Sequence, residues 1–346
     1  MKNRTEQTGD MMLTVIIPCH NETEEELNKS LGSVSGLGIS SYEVLVIDNN
    51  SDEDTAGFLK AYCQPRKEFH YIPETVRGVS AARNRGIAES RGKYILFLDA
   101  DDYIFGDSLE QVFKENKDLM EGNGADQFLF DERCIGGSIR WFPDRWGGHV
   151  TWEEAAEKLL TAQIPGFFAS LYRRNFLAEH EIYFPYGVRM GEDYIFSLAF
   201  WQAEPVIYYI PVYLYYYNFD AASRMGRYVS DPSGSLEELL YEKKYKKEFV
   251  RNADYLSAKA AGILHLLDKR CMDALFSELL YLSEGGVAAD EIREKVRGIY
   301  LGFDIGEMKE IKSRLEYEIV ARKLWFLLPI ICKVRNVRQR MKHVRR

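Results

Sequence analysis

The sequence predicts an α/β fold built on a mostly parallel sheet. Four short runs of apolar, strand-forming residues recur in the first hundred residues, at 13–17, 43–47, 69–72 and 94–98. Segments of helical character separate these runs, and such alternation is typical of right-handed βαβ units. Each run ends in polar residues, and open α/β sheets bind their ligands at the carboxyl ends of the strands. We therefore expect a ligand site at that edge.

The composition is that of a globular protein with a substantial core. The chain has 346 residues, 46% of them hydrophobic, and this length suits about two domains. A net charge of -8 argues against general nucleic-acid binding, because contacts to phosphates require a basic surface. Five scattered cysteines without a C-x-x-C pair predict neither a disulfide framework nor a zinc site.

We expect a cytoplasmic protein without a membrane-spanning segment. Residues 1–10 are polar and lack the apolar core of a signal peptide. The longest apolar run, 324–332, is shorter than the ~20 residues of a transmembrane helix.

The elements follow in order along the chain. After the strand at 13–17 we predict a helix capped by Thr23, and after the second strand a helix at 52–63. The segment 78–86 is rich in small residues, which predicts a helix that packs closely on the sheet. Beyond a helix reaching to about residue 121, the pattern predicts strands at 126–135, 206–210 and 212–218.

An acidic turn directly follows the fourth strand. Its members are Asp99, Asp101 and Asp102. Three carboxylates this close repel one another unless a cation lies between them, and Mg²⁺ or Mn²⁺ prefer oxygen ligands. The residues alone leave two interpretations open, a metal site or an acidic turn before a helix that begins near Asp107.

Two common nucleotide-binding motifs are absent. A dinucleotide-binding domain needs G-x-G-x-x-G after the first strand, where residues 18–22 read PCHNE. No G-x-x-x-x-G-K-[ST] motif occurs either. Any nucleotide must be held by other means.

Four segments together resemble the nucleotide-binding half of family 2 glycosyltransferases. They are VIIPCHNE at 15–22, VIDNNSD at 46–52, GVSAARNRG at 78–86 and FLDADD at 97–102. The resemblance covers roughly residues 12–225. It implies a GT-A fold, which is a Rossmann-like mixed sheet with a nucleotide-binding half and an acceptor half. It also implies a nucleotide-diphosphate sugar as donor and a D-x-D motif that holds Mn²⁺ or Mg²⁺.

The resemblance implies where the nucleoside lies. Pro18, His20 and Glu22 would surround the base and the ribose, and Asp48 would face the imide edge of a uracil. A carboxylate suits that position because it accepts a hydrogen bond from the uracil N–H. The alternative for Asp48 is a turn or a helix cap.

The resemblance also implies the diphosphate and metal contacts. Gly78 would allow close approach of the backbone, and Arg83 would offset the diphosphate charge; the alternative for Arg83 is a salt bridge to the acidic turn. Asp99 would contact the ribose. Asp101 would hold the metal with Asp102 assisting or replacing it, and the order of these two stays open.

The acceptor half resembles the same family at 171–177, LYRRNFL, and at the acidic pair Glu192 and Asp193. The family pattern makes Asp193 the catalytic base and leaves Glu192 to bind acceptor or cap a helix; the alternative is that both acids only favour a helix N-terminus. Trp141 belongs to an irregular aromatic loop at 141–148 and would either stack on the acceptor sugar or fill the core. Arg224 would contact the diphosphate from a mobile loop or lie in a plain linker.

We predict four regions: a disordered N-terminus (1–11), a GT-A domain (12–230), a helical C-terminal region (231–322) and an amphipathic basic tail (323–346). Seven Lys or Arg residues lie in 333–346, after an apolar stretch with a Trp. This pattern is typical of an interfacial anchor on an anionic membrane. The alternatives are a helix packed on the protein and an oligomer contact.

The whole sequence thus predicts a metal-dependent inverting glycosyltransferase. It would move a sugar from a nucleotide-diphosphate sugar to a hydroxyl of a glycan or lipid-linked glycan in bacterial surface-polysaccharide synthesis. Because Asp48 suits uracil, we expect the donor to be a UDP-sugar. We expect it in the cytoplasm with peripheral contact to the inner membrane face. One alternative is a nucleotidyltransferase, although the Gly-rich basic loop expected after the first strand is missing. Another is a non-catalytic module that binds a sugar nucleotide or a glycan. The presence of both the acidic turn and the Glu192–Asp193 pair argues against it.

Overall fold

The chain divides into two compact units, Met1–Asp220 and Ala221–Arg346. The computed structural model describes residues 11–122, 124–134, 137–162, 168–188 and 191–218, then 243–256, 258–264, 266–268 and isolated positions up to 331. In the second unit, residues 243–252 and 260–264 are helical, and Asp254–Leu256 and Trp325–Leu327 form 3-10 turns. The expected boundaries at 230 and 322 stay predictions.

The N-terminal half of the sheet is parallel, as predicted. Its strands are β1 (Leu13–Cys19), β2 (Tyr42–Asp48), β3 (Phe69–Pro73) and β4 (Tyr94–Phe97). Their order in the sheet is β3-β2-β1-β4. They alternate with α1 (Glu24–Ser33), α2 (Glu53–Cys63) and α3 (Val79–Glu89). Every residue of β1 is buried, which explains why the strand is a continuous apolar run.

The C-terminal half makes the sheet mixed, which confirms the predicted fold class. It contains the strands β5 (Tyr103–Ile104), β6 (Gln127–Cys134), β7 (Gly137–Ile139), β8 (Gly148–Val150), β9 (Ser170–Arg173) and β10 (Ile207–Tyr217). Its helices are α4 (Gly106–Glu115), α5 (Lys117–Glu121), α6 (Trp152–Ala162), α7 (Arg174–Glu179) and α8 (Glu192–Gln202). β9 runs antiparallel between β4 and β6, and it joins the two halves into one sheet.

Two details differ from the predicted elements. The tyrosine-rich segment forms one strand, β10, instead of two, and Pro211 lies inside it. The pairing with β6 shifts register between Tyr209 and Tyr213, so an irregularity accommodates the proline, which has no N–H to donate to a ladder. The predicted helix to residue 121 is divided at Asn116 into α4 and α5.

Two local predictions about the helices are confirmed. Thr23 caps α1 in a reciprocal capping box, where its hydroxyl accepts from the Glu26 N–H at 3.3 Å and the Glu26 carboxylate accepts from the Thr23 N–H at 2.8 Å. Helix α3 packs closely on the sheet, because a Cβ at Gly86 would lie 2.3 Å from the Ile16 side chain.

None of the helices within the described ranges combines the length and apolar character needed to cross a bilayer. Apart from a few positions such as Trp325–Leu327, the predicted tail lies outside the described residues.

Candidate functional site

The carboxyl ends of β1, β2 and β4 gather the predicted donor-side residues at one edge of the sheet. Cys19, the last residue of β1, pairs with Asp48 at the end of β2. Just beyond β1, the buried Glu22 accepts a hydrogen bond from the N–H of the exposed His20 at 2.6 Å. Pro18 is buried within β1. The structure thus brings these residues to the edge where such sheets bind ligands.

Asp48 is held in a fixed orientation. Its Oδ1 accepts from the Ser51 N–H at 3.0 Å, which is the turn contact that the sequence left open. Its Oδ2 accepts from the Tyr71 hydroxyl at 2.5 Å. Burial, and then the bond to the Asp48 carboxylate, raise the pKa of Tyr71, so the phenol stays a donor. Sequence reasoning did not identify Tyr71, because it lies on a different strand.

Asn49 was also missed, and it positions the start of α3. Its Oδ1 accepts from the Gly78 N–H at 2.8 Å, and its Nδ2 donates to the Val76 carbonyl at 2.6 Å. Gly78 has a φ of 116°, which only glycine adopts readily. The loop and the helix N-terminus are therefore fixed beside Asp48. In the sequence, the position of Asn49 directly after Asp48 could have indicated that it belongs to the site.

The acidic turn is compact. One carboxylate oxygen from each of its three residues lies within 4.8 Å of the others. Asp102 is buried, and its oxygens accept from the Tyr215 hydroxyl at 2.6 Å and from the Asn218 N–H at 2.7 Å. Burial, followed by the charges of Asp101 and Asp99, raises the pKa of Asp102 well above its ordinary value. Asp102 is thus tied to β10, whereas Asp101 is only half-buried.

This donor set fits a hard divalent cation. Three clustered carboxylates supply the oxygen ligands that Mg²⁺ and Mn²⁺ prefer. Asp101 is the most accessible of the three, while both oxygens of Asp102 already accept hydrogen bonds. The geometry therefore favours Asp101 over Asp102 as the main ligand.

Arg83 forms the salt bridge that the sequence left open. Its side chain is 1% exposed. One guanidinium nitrogen lies 2.8 Å from Asp99 Oδ1, and the other lies 2.8 Å from Glu192 Oε1. Burial opposes the charge of Arg83, but Asp99 and Glu192 outweigh it and raise the pKa above the usual value. The guanidinium thus connects the acidic turn to the start of α8.

Asp193 lies in the first turn of α8 and is half-buried. The charges of Asp193 and of the acidic turn both act on Tyr217, the last residue of β10. Burial is the main reason that the pKa of Tyr217 is raised, and the charges of the three acids of the turn and of Asp193 raise it further. Glu192, the neighbour of Asp193, shares the Arg83 guanidinium with Asp99, so one buried side chain joins the segment of the predicted base to the predicted metal site.

Trp141 does not occupy the predicted acceptor surface. It is 1% exposed, packs edge-to-face on Trp201 at 6.1 Å, and donates its backbone N–H to Asp131. A buried indole ring cannot stack on a sugar. The structure therefore supports the alternative in which Trp141 fills the core. Trp146 of the same loop is 97% exposed. Arg224 lies outside the described residues.

The fold and the site define a glycosyltransferase domain of the GT-A class. Staphylococcus aureus TarS 1–349 in complex with UDP-GlcNAc superimposes with a TM-score of 0.61 at 17% identity, covering 94% of this chain and 92% of that one. The mannosyltransferase PcManGT from Pyrobaculum calidifontis, in complex with GDP-Man and Mn²⁺, gives 0.52 at 14% identity and covers 94% and 87%. These similarities establish the shared fold.

Sequence comparison gives a match of the same kind. Residues 14–180 match the model of glycosyl transferase family 2, so this segment of the chain is a domain of that type. EpsH of Bacillus subtilis is 25% identical over 223 residues, which cover 62% of this chain and 63% of EpsH. Four further relatives are matched over only 16–19% of their own length.

Proposed function

We propose that this protein is a metal-dependent inverting glycosyltransferase. It transfers a sugar from a UDP-sugar to a hydroxyl of a glycan or lipid-linked glycan in the synthesis of a cell-surface polysaccharide. The observation that carries the proposal is that the buried Arg83 guanidinium lies 2.8 Å from Asp99 of the acidic turn and 2.8 Å from Glu192, the residue next to Asp193. The names of relatives support it: TarS is a poly(ribitol-phosphate) β-N-acetylglucosaminyltransferase, and one of its structures holds UDP-GlcNAc.

The donor nucleoside binds at the ends of β1 and β2. Asp48 accepts a hydrogen bond from the uracil imide, because a carboxylate oxygen has lone pairs left after one contact. The Tyr71 hydroxyl holds it in place for this contact. Pro18, His20 and Glu22 line the base and the ribose.

The diphosphate lies between the start of α3 and the acidic turn. Gly78 lets the backbone approach closely, and the helix N-terminus favours negative charge. Asp99 would contact the ribose, and Asp101 would be the main ligand of Mn²⁺ or Mg²⁺. A cation bound there would supply positive charge to offset that of the departing diphosphate. Asp102 keeps the turn in shape through Tyr215 and Asn218.

Asp193 acts as the general base. It takes the proton from the acceptor hydroxyl as that oxygen attacks the anomeric carbon on the face opposite the diphosphate. The bond between the anomeric carbon and the diphosphate oxygen breaks as the glycosidic bond forms, which inverts the configuration. Asp193 lies at the N-terminus of α8, whose dipole favours the carboxylate before it takes the proton.

The polymer or lipid-linked acceptor suggests a place at the membrane. We propose that the enzyme works in the cytoplasm and contacts the inner membrane face through its basic tail, 323–346, since such segments bind anionic lipids.

The test is turnover of candidate donors by the full chain. Release of UDP is measured from UDP-glucose and UDP-GlcNAc with Mn²⁺ and with EDTA, with GDP-mannose as comparison and Asp193→Asn as the inactive control. We expect slow, metal-dependent release from at least one UDP-sugar. Pyrophosphate release from UTP and a sugar 1-phosphate would instead indicate a nucleotidyltransferase. Binding of a UDP-sugar without turnover, with acceptor glycans present, would indicate the non-catalytic module.

A further inference from the structure

One buried cation joins two acidic motifs that lie far apart in the sequence. Arg83 of α3 contacts Asp99 after β4 and Glu192 at the start of α8, at 2.8 Å each. All three side chains are 10% exposed or less. Buried ion pairs of this kind are often no more stabilising than apolar residues of the same size, because each charge loses its hydration. Stability alone therefore gives little reason for this triad.

The next residue of α3 strengthens the same connection. The Asn84 side chain donates to the Phe184 carbonyl at 2.8 Å and accepts from the Phe184 N–H at 2.8 Å. The Phe184 ring stacks on Phe196 of α8 at 4.1 Å, and the Arg83 guanidinium lies 5.1 Å from the Phe184 ring. Helix α3 therefore fixes both the segment before α8 and the first turn of α8, which carries Asp193.

The geometry leaves the diphosphate little access to Arg83. The side chain is 1% exposed, and each terminal nitrogen already contacts a carboxylate. A phosphate oxygen would have to displace Asp99 or Glu192, and it would have to enter a site from which solvent is excluded. Direct neutralisation of the diphosphate, which the family resemblance implies for Arg83, does not fit this arrangement.

We propose that Arg83 is a positioning residue that sets the placement of Asp193 relative to the acidic turn. It does so by holding Asp99 and Glu192 on one guanidinium, and Glu192 serves as the anchor of the base instead of as an acceptor ligand. The inference rests on the proposed function, because its main readout is turnover. This role requires arginine, because the planar guanidinium can bind two carboxylates at once. The single ammonium group of lysine cannot bind both with the same geometry.

The test compares Arg83→Lys and Glu192→Gln with the wild type. The control is Arg85→Lys on the same helix, since Arg85 is 45% exposed and pairs with Glu89 within its own helix. For each protein, kcat and the donor KM are measured, together with the dissociation constants of UDP and UMP in Mn²⁺. The ratio of these two constants reports contacts to the second phosphate. Circular dichroism confirms folding.

We expect kcat to fall by about 100-fold in Arg83→Lys, since a misplacement of ~1 Å costs that much. Glu192→Gln keeps the size of the side chain and loses its charge, so kcat should fall by at least about 10-fold. The donor KM and the UDP-to-UMP ratio should stay within twofold of wild type in both variants. Arg85→Lys should match the wild type in every measurement.

Two results would overturn the proposal. A UDP-to-UMP ratio that changes tenfold in Arg83→Lys alone would make Arg83 a phosphate ligand. Unchanged kcat in both variants would make the triad merely structural. If Arg83→Lys does not fold, the kcat values of Glu192→Gln and Asn84→Ala test the proposal in its place. Glu192→Gln weakens the contact of α3 with the first turn of α8, and Asn84→Ala removes its contact with Phe184 before α8. Lack of turnover by the wild type would count against the proposed function and not against the role of Arg83. In that case the UDP-to-UMP ratio would still show whether Arg83 contacts phosphate.

Discussion

Glu132 makes the stability of this protein depend on pH in a direction opposite to that of most carboxylates. It is fully buried in β6, and within the described part of the chain neither of its oxygens has a hydrogen-bond partner. Burial, and then the charge of Asp131, raises the pKa of Glu132 from its usual 4.5 to about 8. The folded protein therefore keeps this proton at neutral pH, whereas the unfolded chain releases it.

The sign and size of the effect follow from linkage. Below the unfolded pKa of 4.5 Glu132 is protonated in both states and contributes no pH dependence. Between that value and about 8 the folded state binds more protons, so stability falls by roughly 1.4 kcal/mol per pH unit. Replacement of Glu132 by Gln removes this slope. The unfolding free energy of Glu132→Gln minus that of the wild type should therefore rise by roughly 3 kcal/mol between pH 5 and pH 7.

The assay is urea unfolding of both proteins at pH 5, 6 and 7, followed by circular dichroism. Any constant cost of the unpaired Gln amide cancels in the pH dependence. Glu179→Gln, at an exposed position of α7, controls for the change in net charge and should show a difference that is nearly flat with pH. A flat difference for Glu132→Gln as well would mean that Glu132 titrates alike in the folded and unfolded states, and the predicted pH dependence would be wrong.

Three further predictions concern the site and the packing of α3. Asp193→Asn should lower kcat by at least about 100-fold and leave the UDP dissociation constant unchanged, because an amide cannot take the proton; near-normal turnover would rule Asp193 out as base. Asp101→Asn should weaken UDP binding measured with Mn²⁺ and leave binding measured with EDTA unaltered, and equal weakening in both would contradict a metal role. Gly86→Ala should lower the unfolding free energy by about 1–3 kcal/mol, because its Cβ would meet Ile16 at 2.3 Å. Gly57→Ala, in an open position of α2, should instead raise it by about 0.5–1 kcal/mol, and a loss at both sites would contradict the packing argument.

The parallel half of the sheet was predictable because its signals are local. β1, β2 and β4 are buried strands, so they are short apolar runs that a sequence reveals directly. β10 was harder to predict. Pro211 suggested a break between two strands, and only the irregular pairing with β6 allows one strand to continue through it.

The candidate site was predictable where the residues of a motif are neighbours in the sequence. The acidic turn and the pair that starts α8 could be identified in this way, and the structure joins them through Arg83. Contacts between distant segments were harder to predict. The salt bridge from Arg83 to Asp99, 16 residues away, was one of two alternatives that the sequence offered. The contact of Arg83 with Glu192, 109 residues away, was not expected, because pairing over such a distance depends on the tertiary fold.

Trp141 shows the same limit for aromatic residues. Its loop contains two tryptophans, and the sequence does not reveal which of them is covered by α8. Contact with Trp201 buries Trp141, whereas Trp146 remains exposed. Burial of a loop residue is decided by the element that packs over it.

According to the proposed function, the edge formed by β1, β2 and β4 binds a uridine diphosphate with the help of a metal. Calorimetric titration of the full chain with UDP, with and without Mn²⁺ and with GDP as comparison, tests it directly. We expect UDP to bind with a micromolar dissociation constant only when Mn²⁺ is present, and GDP to bind more weakly. Absence of UDP binding under both conditions would rule out a uridine diphosphate site at this edge, beginning with the role of Asp48.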